Sequence, residues 1–326
     1  GPPLGGFITT YFSWHWIFLI NVPVGIVGFI LSGIYLPEIV SENPPPIDVT
    51  GFILSAIAAS GTMFGLSVMS LPALPPEIGA VSVVAGIIAG VLYVRHARNH
   101  PAPLLDLKLF RDSAFRAAAI GGTLFRISIG ATPFLLPLML QVGFGLSPFQ
   151  SGLITFSGAI GAITTKFIAR RVLVFAGFRT TLIAAGLCGA AFTFVNGLFT
   201  PATPALVMTG VLLLAGFVRS FFFTSVNALS FADIPDRDAS KATSMSAVLQ
   251  QMSLALGVAV AGGILEIETM LRGSKLELQD FQNAFMMISA ITLTAVIPFI
   301  RMSKTAGASV SGHRLVEKQA ETVVGK

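Results

Sequence analysis

Two arginines stand where arginines are costly. Arg126 lies near the middle of the apolar run 114–141, and Arg219 near the middle of 204–232. A guanidinium at the centre of a membrane-length apolar segment costs at least about 2.5–3.5 kcal/mol on insertion scales, so each is expected to face a cavity or a partner. The chemistry they offer is recognition of negative charge. At helical spacing Arg126 shares a face with Gly130, Pro133, Pro137 and Gln141, a stripe of polar and helix-bending residues. Ser220, Thr224 and Asn227 form a polar stripe on the second run. No acid sits at matching depth: Glu266 and Glu268 fall at the outer end of their run and read as solvated. Enzyme chemistry finds no footing, since there is no Gly-rich phosphate loop, no His-Glu-x-x-His and no Gly-x-Ser-x-Gly. The four His, at 15, 96, 100 and 313, are scattered, and no metal site or cofactor is expected.

The elements that hold these residues follow from composition. The chain has 326 residues, 54% hydrophobic and 11% charged, with one Cys and a mean hydropathy of +0.83. A water-soluble fold cannot hide so much apolar surface, and a disordered chain would be far more polar. The fold class is therefore all-α, a polytopic membrane protein. Nine stretches reach the roughly 20 apolar residues that a spanning helix needs: 16–37, 50–71, 77–95, 114–141, 149–169, 179–199, 204–232, 244–267 and 282–301. Residues 1–12 make part of a tenth. Segment 95–116, with Leu104, Leu105, Leu107, Leu109 and Phe110 among charges, reads either as a stretch lying along the membrane interface or as a polar loop with apolar plugs. The tail 303–326 reads as polar and disordered.

Sixteen of the twenty Lys and Arg fall on alternate connections, on one side of the membrane; only Arg272 and Lys275 fall on the other. The positive-inside rule makes the sixteen-charge side, and the C-terminus, cytoplasmic. The basic balance is thus an orientation signal, and no nucleic-acid partner is expected.

Four motifs, in order, resemble one family. Gly1-Pro2-Pro3-Leu4-Gly5-Gly6 resembles the antiporter motif in the fifth helix of major facilitator superfamily drug–proton antiporters. Trp14-His15-Trp16 through Gly25 resembles the fifth-to-sixth helix junction of the fourteen-helix branch, with His15 where the family usually has Arg. Pro103-Leu104-Leu105-Asp106-Leu107 through Arg111 is similar to that branch's signature before its ninth helix, and Gln250-Gln251 with Gly257-Val258-Ala259 to its thirteenth. Lys166, Arg170, Arg171 and Arg179 resemble a degraded copy of the family's cytoplasmic gate loop, without its usual Asp, and are read as topology anchors.

The resemblance implies a fragment lacking helices one to four: 1–37 ending an N-terminal six-helix bundle, 38–100 two inserted helices, 101–302 a C-terminal six-helix bundle. It implies a multi-pass protein of the plasma membrane, the inner membrane in a bacterium, whose partners are the bilayer, a small-molecule substrate and the missing helices of the same protein. The implied activity is proton-coupled export of small amphipathic compounds by alternating access, with the coupling acids in the missing bundle. A non-transporting sensor or scaffold of the same fold, or an exporter of one metabolite, remains the alternative. Arg126, Gln141, Phe134, Arg219, Ser220, Thr224 and Asn227 are the expected substrate or coupling residues, with Phe221, Phe222, Phe223 and Met139 as soft apolar surface. The conformational motif comprises Gly1, Pro2, Gly5 and Gly6, an expected small-residue partner in Ser157, Gly158 and Gly161, and an echo at Gly257, Gly262 and Gly263.

Overall fold

The structure, a computed structural model, describes residues 5, 7–8, 12–13, 15–35, 47–69, 75–273, 275–303 and 306–311, apart from the side chains of residues 76, 166–167, 169–170, 236, 309 and 311. Among these residues the chain is helix and turn throughout. The helices are α1 (His15–Leu19), α2 (Asn21–Tyr35), α3 (Val49–Met69), α4 (Pro76–Asn99), α5 (Ser113–Leu138), α6 (Pro148–Asn196), α7 (Ala205–Phe231), α8 (Ala239–Arg272), α9 (Leu278–Thr294), α10 (Val296–Ile300) and the short α11 (Ala308–Ser311).

Eight segments among the described residues are long and apolar enough to cross a membrane. They coincide with eight of the nine expected spans, and the ninth, 149–169, is the first arm of α6. That helix runs for 49 residues, about 74 Å if straight, more than twice a bilayer's hydrocarbon thickness. It cannot be one span. It breaks at Gly177, where φ 67° and ψ 169° lie in a region essentially closed to residues with a Cβ. Gly177→Ala is expected to cost about 1–3 kcal/mol, read as a lower thermal unfolding temperature in detergent.

Local signals start the spans. Before α6, the Ser147 hydroxyl accepts the Gln150 N–H at 3.2 Å while the Gln150 side chain accepts the Ser147 N–H at 3.0 Å, a reciprocal cap completed by Pro148 at the first helical position. Asp112 caps α5 by accepting the Phe115 N–H at 2.7 Å. At its other end α5 carries Pro133 and Pro137 and passes into a π-helical turn, Met139–Gly143.

Two glycine crossings bring backbones together. Gly158, Gly161, Ala162 and Thr165 share one face of α6, and Leu213, Gly216, Phe217 and Ser220 share one face of α7. A Cβ on Gly161 would collide with the Leu213 carbonyl, and one on Gly216 with the Gly158 carbonyl. At that separation the Thr165 hydroxyl reaches the Phe217 carbonyl and the Ser220 hydroxyl the Ala162 carbonyl, both at 3.0 Å. Gly257 of α8 meets the Ile127 carbonyl of α5 in the same way, and Gly130 of α5 meets Leu254. This corrects the pairing expected from sequence. Gly158 and Gly161 are taken up by α7, while Gly5, the one described glycine of the opening motif, has nothing within 4 Å of where a Cβ would stand. Gly1, Pro2 and Gly6 lie outside the described residues. Gly263 likewise has open space beside it.

α3 and α4 pack chiefly on each other, and α3 also touches α8. α2 buries no residue. The 100–112 connection is a strap folded onto protein, which resolves its two readings in favour of the plugged loop: Leu105 and Leu109 are buried with Tyr93, Ala97, Phe115, Ala119, Ala242 and Met245. Tyr93 clamps it, its hydroxyl donating to the Leu105 carbonyl at 3.0 Å and accepting the Leu105 N–H at 2.7 Å. Lys241 ties the strap to the start of α8 through Asp106 at 3.4 Å and Asp238 at 3.0 Å. The hydrogen bond from Lys241 outweighs desolvation in holding the Asp238 carboxyl below the usual carboxylate range.

The expected disordered tail is also corrected at its start. Gly307 (φ 68°) packs on Phe178 and Leu229, its N–H donating to Asp233 at 3.4 Å, so residues 306–311 dock against the bundle. Residues 312–326 lie outside the described part.

Candidate functional site

Three helices leave a cleft between them. Ile129, Thr132, Pro133, Leu136 and Pro137 of α5, Thr155, Gly158, Ala159 and Ala162 of α6, and Leu212, Gly216, Arg219, Ser220 and Phe223 of α7 line a cavity of about 410 Å³. Each set repeats at three- and four-residue intervals, one stripe per helix. A cavity this size falls within the range that holds small ligands. Its floor on the α6–α7 side is bare backbone at Gly158 and Gly216, which is what the glycine crossing exposes.

Arg219 is the only charged residue in this wall among the described residues. Among the described residues it makes no hydrogen bond or ion pair. Behind it lies a small recess shared with Ser128, Thr193 and Asn196. Ser128 and Thr193 bond to each other at 3.0 Å, but the Asn196 Oδ1 is buried without a hydrogen-bond partner among the described residues. Arg219 thus stands between an open cavity and an orphaned acceptor.

Arg126 is differently placed. It is 3% exposed, its Nη2 donates to Asn227 Oδ1 at 2.9 Å, and its guanidinium lies 5.5 Å from the centre of the Phe223 ring. Its Nε is buried and has no hydrogen-bond partner among the described residues. Phe223 separates it from the cavity, so Arg126 sits beneath the wall. Sequence reasoning sought a carboxylate or an anionic substrate for this residue; the described partner is a neutral amide and a ring face. Arg126→Gln, Asn227→Ala and the double variant are expected to show a coupling of about 0.5–1.5 kcal/mol in detergent unfolding, the range of interhelical bonds in membranes.

Of the expected site residues, Arg219 and Ser220 line the cavity, and Arg126 with Asn227 underlies it. The others turn elsewhere. Phe134 faces a separate groove with Met63, Phe64 and Ser67 of α3 and Ala255, Val258, Ala259 and Gly262 of α8. The reason is angular: one residue past Pro133 rotates about 100° off the cavity stripe. Gly130, placed on the same face as Arg126, is consumed by the α8 crossing. Gln141 belongs to the π-turn, its carbonyl accepting the Gly145 N–H at 3.1 Å. Thr224 is exposed and lines none of the cavities. Phe222 stacks on Phe125 at 3.7 Å and Met139 is fully buried, so both are core. Glu268 is not simply solvated but accepts the Asn283 amide at 3.0 Å. Sequence reasoning missed Thr155 and Ala159, whose signal was their spacing from Gly158 and Ala162.

A scattered set of His also converges. Asp48, just ahead of α3, and His96 and His100 at the end of α4 offer ligand atoms all within 4.8 Å of one another. The inference that sequence scatter precludes such a group is corrected: the α3–α4 hairpin returns the chain to its starting level.

Eight membrane-length segments among the described residues, and a cavity lined by α5, α6 and α7 with Arg219 in its described wall, define a multi-pass membrane protein with a solute-sized cleft. The chain belongs to the Major Facilitator Superfamily, which it matches over residues 1–258 and, in an overlapping register, 118–320. That is a family of transporters, not enzymes. The chain is 38% identical, over 270 residues, to the putative multidrug resistance protein MdtD of Escherichia coli K12 and equally to those of Escherichia coli O7:K1 and Shigella boydii serotype 18. The alignments cover 81% of this chain and 56% of each relative, so the chain spans about half the length of the curated relatives it matches.

Proposed function

We propose that the chain supplies a substrate-facing cavity of a proton-coupled exporter working by alternating access, with small amphipathic anionic or zwitterionic compounds as its substrates. The observation that carries the reading is Arg219, a guanidinium without a described partner in a wall otherwise apolar but for Ser220 and two Thr hydroxyls. A fixed cation there favours an anionic head, while Ile129, Leu136, Leu212 and Phe223 accept an apolar body. Family membership and similarity to a putative multidrug resistance protein support export of varied compounds. No nucleotide motif occurs in the sequence, which supports an ion gradient as the driving force. In this reading the C-terminus is cytoplasmic in a bacterial inner membrane, α3 and α4 are the inserted pair, and Gly257 and the opening glycine motif are pivots for bundle movement. The proton-coupling acid belongs to helices that complete the cavity.

The test is transport in inverted vesicles containing the transporter of which this chain is part. An acid-inside gradient should drive accumulation of an anionic dye, and a protonophore should abolish it. Accumulation of a lipophilic cation such as ethidium with no anionic dye taken up would overturn the substrate class. Uptake that ignores the protonophore would overturn the coupling.

A further inference from the structure

The Asp48–His96–His100 group lies at one end of the α3–α4 hairpin, on different helices from the cavity walls. His96 and His100 are four residues apart, which puts two imidazoles on one side of a helix end; their ring centroids are 5.0 Å apart. His96 Nε2 lies 2.7 Å from Asp48 Oδ1. One ring nitrogen from each His and one carboxylate oxygen fall within 4.8 Å of one another, a spread that small side-chain rotations reduce to the edge of a coordination tetrahedron.

The carboxylate is held and under-compensated. Its side chain is 3% exposed and its one ionic partner among the described residues is His96. Asp48 Oδ1 also accepts the Gly51 N–H at 2.8 Å, and Oδ2 accepts the Leu104 N–H at 3.2 Å. Such backbone bonds are the outer contacts that fix a ligating carboxylate in metal sites. His100 is more loosely held, its Nδ1 accepting the Ala102 N–H at 3.3 Å, a weak contact that a stronger Lewis acid would displace. A buried anion with no Lys or Arg paired to it among the described residues is stabilised by added positive charge.

We propose that Asp48, His96 and His100 form a binding site for a divalent transition-metal ion of borderline softness, Zn²⁺ or a close relative, with water completing the shell. Two imidazoles and one carboxylate match the donor set of open zinc sites, and the absence of thiolate excludes a preference for Cu⁺. Because Asp48 precedes α3, the His lie at the end of α4 and Leu104 belongs to the strap leading to α5, an ion here joins the hairpin to that strap.

The test uses Co²⁺ as probe on the purified chain without a histidine tag. Visible d–d absorption of a low-coordinate site should grow and saturate at a single equivalent, and Zn²⁺ should abolish it. His100→Ala, which leaves the Asp48–His96 contact intact, should weaken Co²⁺ binding at least about tenfold without changing the metal-free unfolding temperature. His96→Ala and Asp48→Asn should also remove the absorption, while His313→Ala should not. No saturable signal in the parent, equal binding by His100→Ala, or a signal that depends on His313 would each overturn the site. The first of these outcomes is what a purely hydrogen-bonded helix cap would give.

Discussion

Replacing Arg219 with alanine in the transporter that contains this chain is expected to cost about 30- to 1000-fold in apparent affinity for an anionic substrate. Truncating one partner of a desolvated charge pair costs about 2–4 kcal/mol, and each 1.4 kcal/mol is tenfold. Stability should move the other way. Arg219 makes no described hydrogen bond or ion pair, so its removal deletes an insertion penalty of about 2.5–3.5 kcal/mol and forfeits no described contact. The variant is therefore expected to unfold at an equal or higher temperature while failing to transport. Arg219→Lys should recover part of the affinity, because it keeps the charge and loses the planar fork. Vesicle uptake and detergent melting curves read the two effects separately. If Arg219→Ala lost transport and stability together, the residue would be a structural member of the bundle and its cavity role would fall.

Gly161→Val is expected to be strongly destabilising in the α6–α7 pair. Its Cβ would stand on the Leu213 carbonyl and close to the Phe217 nitrogen, so backbone must move. Overpacking costs about 1–3 kcal/mol and more where no side chain can yield. Separating the helices also stretches the Thr165–Phe217 and Ser220–Ala162 bonds, together worth about another 1 kcal/mol at the average found for such bonds in membranes. A loss of about 2–4 kcal/mol should show as a lower folded yield and melting temperature. Gly210→Ala on α7 is the control: nothing lies within 4 Å of its Cβ position, and exchanging Gly for Ala in a helix interior is favourable by up to about 1 kcal/mol.

The helices and the chemistry were legible in the sequence to different degrees, for physical reasons. Spans announce themselves through the length of apolar runs, because a bilayer imposes the same thickness on every helix; α3, α5 and α7 are read almost to the residue. Arg219 and Ser220 were legible because polar groups inside such runs are expensive. Azimuth was not. Pro133 and Phe134 are neighbours in sequence, yet only the first faces the cavity, and which stripe of α5 meets α7 is set by where Gly130 lets α8 approach. The glycines were visible as small residues, but their partners were not, since any small stripe fits any other. Asp48 and His96 are 48 positions apart, and only the return of the α3–α4 hairpin joins them. The strap hid for the opposite reason: Leu105 and Leu109 looked fit for a lipid surface, and the Tyr93 hydroxyl that turns them inward is a single polar atom inside an apolar span.

The bare-backbone crossing between α6 and α7 has a consequence for how the cleft can change. Where two helices touch through Gly158, Gly161 and Gly216, there are no interdigitated side chains to retune, so their spacing is indifferent to substitutions on neighbouring faces. Thr155 and Ala159 border the cleft without belonging to the fully buried clusters. Their size and polarity are free to vary while the frame stays fixed. Selectivity is thus separable from assembly, and a new ligand profile is reachable by single steps that leave the bundle intact.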